Sequence, residues 1–139
     1  MKDIQWNVEA QINPTEDERK VERAIRNIFP SIQLSLVKDG EERTRLTGQA
    51  QGLQGLSAFR ELLKKERIRA AARSIMFSSI SDSSLIISLN KQAAYAGHIS
   101  FALEPGVSPL GPITVRLECA EPQSVIKWLV QTDHRSRRS

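Results

Sequence analysis

Apolar residues recur at every second position in several separate stretches of this chain, and that period limits its fold more than any other feature. Ile4, Trp6, Val8, Ala10 and Ile12 alternate with Gln5, Asn7, Glu9 and Gln11. Successive side chains of a strand point to opposite faces, so this stretch predicts a strand with one buried and one wet face. Ile32, Leu34 and Leu36 repeat the pattern, as do Leu85, Ile87 and Leu89, and Ile113, Val115, Leu117 and Cys119. Asp39-Gly40 is a hairpin turn signal. The returning strand, Arg43 to Thr47, has only Leu46 as a strongly apolar residue; Arg43 and Arg45 share a face read as exposed, on a strand read as lying at a sheet edge. Strands wet on one side need one covering layer on the other.

Helical periods supply that layer. Asn13-Pro14 ends the first strand, and Thr15 stands three residues before Glu18 as a capping box. Val21, Ala24, Ile25 and Ile28 follow at helical spacing, so a helix is predicted from about Glu16 to Ile28, stopped by Pro30. Gly48, Gly52 and Gly55 loosen the chain, and Gln49 to Gln54 reads as a connector. Leu56, Phe59, Leu62 and Leu63 form one stripe; Ile68, Ala71, Ala72, Ile75 and Met76 form another. At about 100° per residue the stripes lie half a turn apart on one straight helix. Two helices are therefore predicted, with a break near Glu66-Arg67. Ser78 to Ser84 reads as a loop, His98 to Leu103 as a strand paired with Leu85–Leu89, and Glu121-Pro122 as the start of a short helix whose Val125, Trp128 and Leu129 face inward.

The predicted order is β-α-β-β-α-α-β-β-β-α. It implies a two-layer α+β fold, a single mostly antiparallel sheet with helices largely on one face. Residues 1–132 are expected to form one domain, as suits a chain of 139 residues. Residues 133–139 form a disordered basic tail in this reading.

Chemistry is sparse. The one cysteine, Cys119, sits in an apolar alternation and reads as a structural thiol. His98 and His134 form no metal-ligand spacing, and no metal site or cofactor is expected. GxGxxG, GxxxxGK[ST] and a nucleophile elbow are absent, so no catalytic residue is proposed and the chain reads as a binding protein and not an enzyme. No apolar run reaches membrane-spanning length and no secretory signal is seen, which predicts a cytoplasmic protein with no membrane partner.

The net charge of +4 is uneven. Residues 60–73 carry six basic and two acidic groups, and 133–139 carry three basic and one acidic, whereas 1–59 and 74–132 are each slightly acidic. A cationic cluster of this kind suits a polyanion; it also suits a solvated helix face. Asn90 to Ile113 (NKQAAYAGHISFALEPGVSPLGPI) is the most unusual stretch, with small residues and helix formers where a turn is expected. The two readings of Asn90–Gly97 are a wide hairpin loop and a ligand-facing segment. Within it Lys91 is read as exposed and functional, and Gln92 as a structural amide that ties down backbone.

Asn13-Pro14-Thr15-Glu16-Asp17, Asn90-Lys91-Gln92-Ala93-Ala94 and Ser108-Pro109-Leu110-Gly111-Pro112-Ile113, in this order, resemble an archaeal family of uncharacterised conserved proteins labelled RNA-binding. The resemblance covers roughly residues 4 to 120. It implies a fold similar to the L-five-type ribosomal protein, and RNA, ribosomal or otherwise structured, as partner. In that reading Lys64, Lys65, Arg67 and Lys91 contact phosphates, Arg43 and Arg45 extend the patch, and Gln92 and Tyr95 touch base or sugar. The alternative is a protein-protein interaction or oligomerisation domain, a homodimer among its forms, with no nucleic acid.

Overall fold

The structure is a computed structural model that describes residues 3–38, 40, 43–102 and 111–131. Its frame is set by β1 (Gln5–Ile12), which runs inside the sheet with an antiparallel partner on each side. Trp6, Val8 and Ala10 are buried, while Gln5, Glu9 and Gln11 are exposed. β2 (Leu34–Lys38), β3 (Thr44–Gln51), β4 (Ile80–Ser81), β5 (Ser84–Asn90) and β6 (Pro112–Glu118) complete a six-stranded antiparallel sheet in the order β2-β3-β1-β6-β5-β4. The α+β class and the single antiparallel sheet agree with the sequence pattern.

Among the described residues five α-helices, α1 (Glu18–Ile28), α2 (Ser57–Lys65), α3 (Arg69–Ser78), α4 (Lys91–Tyr95) and α5 (Pro122–Leu129), accompany the sheet. The buried side chains of the helices and the inward residues of β1, β3, β5 and β6 form one core cluster. Trp6, Phe29 and Phe59 stack through it with ring centroids 5.4 and 5.7 Å apart, a tilted geometry favourable beyond its buried area. The outward residues of the strands are exposed or half-buried, so the helices occupy one face and leave the other open.

Several local expectations are corrected. α1 begins at Glu18 with Asp17 as N-cap, and Asp17 accepts a hydrogen bond from the Arg19 N–H. The Thr15–Glu18 capping box does not form, because the helix starts two residues later with Asp17 as its cap, while Glu16 accepts from the Asn13 N–H. β3 is not an edge strand; it lies between β2 and β1 and runs on to Gln51. Ala50 pairs with Trp6 on the inner face, and Gly48 inside the strand is required by close packing. A Cβ there would stand 2.7 Å from the Gln33 carbonyl oxygen and 2.9 Å from Ile32 Cγ1.

The predicted loop 78–84 contains β4 and a tight turn with Asp82 in left-handed backbone (φ 56°). The predicted strand His98–Leu103 is reduced to a single bridge, Leu89 to Phe101, flanked by Asn90 N–H to Ser100 O at 2.7 Å and Ala102 N–H to Ser88 O at 2.9 Å. The chain reaches this edge of β5 only after leaving α4; Leu103 itself lies outside the described residues, as does the tail 133–139.

Candidate nucleic-acid interface

Asn90–Gly97 is neither a wide loop nor a spacer. The Asn90 side chain accepts a hydrogen bond from the Ala93 N–H at 2.8 Å and caps α4. The short helix ends at Gly97, whose φ of 85° suits glycine. Gly97 N–H bonds Ala94 O and His98 N–H bonds Ala93 O, a Schellman termination. Asn27 of α1 donates to the carbonyls of Ala94 and Tyr95 and holds the end of α4.

Lys91, expected to be exposed, is 4% accessible. Its Nζ donates to the Gln11 carbonyl at 2.7 Å and to Glu16 Oε1 at 3.0 Å. Glu16 Oε1 also accepts from the Asn13 backbone N–H at 3.0 Å and the Asn13 side-chain amide at 2.9 Å. A lysine is buried only when such partners meet its charge. Burial alone would raise the Glu16 pKa, but the bonds from Asn13 and Lys91, with the Lys91 charge, outweigh it and hold the carboxyl below its ordinary 4.5. Lys91 is therefore a tie between α4 and the end of β1 and is withdrawn as a phosphate contact. Gln92, expected to be structural, is exposed, and its side chain makes no backbone hydrogen bond among the described residues.

The break between α2 and α3 falls where the two stripes placed it. Arg67 takes left-handed backbone (φ 59°), Ile68 N–H bonds Leu63 O, and Arg67 N–H bonds Lys64 O. This is a second Schellman termination, with arginine where glycine is usual. Lys64, Lys65 and Arg67 project from the corner and are exposed. Glu66 joins this corner to the end of α4. Its Oε2 lies 2.9 Å from His98 Nδ1, and its Oε1 accepts from the Ile99 N–H at 3.4 Å. The His98 bond is the main reason the Glu66 carboxyl sits below its ordinary pKa; desolvation opposes it, and the Ile99 N–H and the charges of His98 and Lys65 assist. The corner cations and the exposed faces of Gln92 and Tyr95 thus stand on two helix ends tied together.

Arg60, Arg69 and Arg73 are engaged in packing against the fold. Arg60 lies over the Trp128 ring at 5.2 Å and donates to the Trp128 carbonyl, and Arg69 donates to the Gln131 carbonyl. Both satisfy acceptors at the end of α5. Arg73 lies over Phe77 at 4.8 Å. Arg43 and Arg45 belong to another surface. Arg45 faces Gln11 and Val37 on the uncovered side of the sheet and pairs with Glu9 at 3.0 Å. Arg43 lines the same shallow concavity. Arg116, opposite Asn7 and Ile86 on that face, was not anticipated, although its period-two position in β6 is visible in the sequence. Among the described residues no His, Cys, Asp and Glu cluster has metal-site geometry, and no helix is long and apolar enough to cross a membrane.

The two motifs Asn13–Asp17 and Asn90–Ala94, far apart in sequence, meet in this structure through Glu16 and Lys91. Residues 6–119 match a family model described as RNA binding. A UPF0201 protein of Sulfurisphaera tokodaii is 40% identical over 122 residues, spanning 88% of this chain and 83% of the relative. The chain belongs to the UPF0201 family. Another UPF0201 protein, from Thermococcus kodakarensis, is 38% identical over 88% of this chain and 86% of its own length. The crystal structure of the UPF0201 protein from Methanococcus jannaschii superposes with a TM-score of 0.80 at 29% identity, covering 91% of this chain and 98% of that one.

Proposed function

We propose that this UPF0201 protein binds RNA through the α2–α3 corner and catalyses no reaction on it. The observation that carries the reading is the placement of Lys64, Lys65 and Arg67 as exposed cations at one corner, bonded through Glu66 to the segment that follows Tyr95. Cations so placed release counterions from a nucleic-acid backbone on contact. The RNA-binding description of the matching family model supports the same partner.

The test is a titration of native protein and the triple variant Lys64→Ala, Lys65→Ala, Arg67→Ala with RNA at several salt concentrations. Each lost phosphate contact flattens the log–log salt slope by about 0.7 to 0.9, so the triple variant is expected to lose about two units of slope along with affinity. Unchanged slope and affinity would remove the corner as the binding surface.

A further inference from the structure

A cleft of about 310 Å³ opens between the start of α1 and α4, the helix whose following residues Glu66 ties to the corner. Its walls are Thr15, Lys20 and Val21 on one side and Gln92 and Tyr95 on the other. The Tyr95 side is well exposed, at 41%. The Lys91–Glu16 pair, whose charges meet each other, also lines the cleft. Asp17, which also lines the cleft, is engaged as the α1 cap. Lys20 and Asp17 offset one another, so the lining as a whole carries no net charge. A neutral cleft with an aromatic ring and an amide suits a flat heteroaromatic group better than a phosphate. Volumes of about 300 Å³ are at the small end for ligand sites and admit a group of that size. The cations needed for the flanking phosphates stand outside the cleft, on the corner that Glu66 bonds to His98 and Ile99, a few residues beyond Tyr95.

Building on the RNA-binding reading, we infer that this cleft receives the base of one unpaired nucleotide, stacked on Tyr95 and hydrogen-bonded by Gln92, while the corner cations hold the adjoining backbone. A base can enter only when it is free of its own helix, so the substrate class is single-stranded or looped RNA. Selectivity and electrostatics are thereby divided between two neighbouring surfaces.

The experiment uses the full chain and two probes, a short mixed-sequence oligoribonucleotide carrying 2-aminopurine and its perfect duplex. Stacking on an aromatic ring contributes an amount equivalent to a factor of about ten in affinity per base. Tyr95→Ala is expected to weaken the single strand about tenfold, leave the duplex unchanged, and leave the salt slope unchanged. Tyr95→Phe, which keeps the ring, is expected to retain native affinity and native quenching of the 2-aminopurine. Free nucleoside monophosphates, lacking the flanking phosphates, are expected not to compete at equal concentration; if they do, the cleft is a mononucleotide site and the RNA assignment of it is wrong. If Tyr95→Ala, folded by its thermal melt, binds both probes as native protein does or loses both equally, the cleft is overturned while the corner stands. If native protein binds neither probe, the RNA-binding reading fails and this inference with it.

Discussion

At the residue scale the most informative side chain is Lys91. Its charge is met by Glu16 and the Gln11 carbonyl, with side-chain exposures of 5% for Lys91 and 9% for Glu16. Removing one partner of such a pair leaves the other charge buried, a loss of about 3 kcal/mol or more. Lys91→Met is therefore expected to lower the melting temperature by about 10 °C in a domain of this size. The double variant Lys91→Met, Glu16→Gln should recover part of that loss, since contacting residues are not additive. Gln92→Ala, being exposed, should leave the melting temperature unchanged within about 0.5 kcal/mol. A melt of the three variants checks both statements, and equal effects of Lys91→Met and Gln92→Ala would contradict them. The pair also carries a pH signature. The Glu16 carboxyl has a folded pKa below its ordinary 4.5, so its stabilisation is fully present above that value and is lost as pH falls through the lowered one. Melting temperatures of native protein and Glu16→Gln should run parallel from neutral pH down to about 5 and converge below 4.5.

At the element scale β1, β5 and β6 were legible, whereas β4, the extent of β3 and one helix were not. Alternation marked the inner residues of β1, β5 and β6 correctly, because each strand has one wet face and a period of two admits no other arrangement. The half-turn between two apolar stripes located the α2–α3 break, because one straight helix cannot bury both. α4 was missed although its signals were present: an N-capping asparagine at 90, helix formers at 91–94, and glycine at 97. Five residues are too few for a hydrophobic period to register, and only the tertiary bonds from Asn27 and Lys91 show what stabilises the turn. The two Schellman ends differ in a way that can be tested. Arg67 adopts φ 59° with a side chain, and Gly97 adopts φ 85° without one. Arg67→Gly should stabilise the protein by about 0.5 to 1 kcal/mol by relieving left-handed backbone, while flattening the salt slope for RNA by about 0.7 to 0.9. Gly97→Ala should cost about 1 kcal/mol although the space around it is open, because the conformation alone opposes it. Calorimetry on the two variants should therefore show shifts of opposite sign.

At the scale of the whole molecule, cations that look equivalent in sequence are sorted onto different surfaces by the two-layer architecture. Lys64, Lys65 and Arg67 lie in the helix layer, whereas Arg43 and Arg45 lie on the open side of the sheet. No spacing in the sequence reveals this, because it depends on which face of β3 meets the core, and Gly48 and the small Ala50 make that face hard to recognise before β1 is seen beside it. The open face is rich in amides and hydroxyls, among them Gln5, Asn7, Gln11, Gln49, Thr47 and Thr114, with Arg45 paired to Glu9. Its cations Arg43, Arg45 and Arg116 are interspersed with Glu9 and Glu118. The corner reading assigns the phosphate contacts to the helix layer and none to the open face of the sheet. The double variant Arg43→Ala, Arg45→Ala is then expected to keep native RNA affinity within about twofold and to keep the native salt slope. Its stability should change by no more than about 1 kcal/mol, since the Arg45–Glu9 pair is partly solvated and exposed pairs contribute little. Measured beside the corner triple variant under the same salt series, the double variant discriminates between the two faces: a slope that flattens in the sheet-face variant and stays native in the corner variant would move the RNA surface from the helix layer to the sheet.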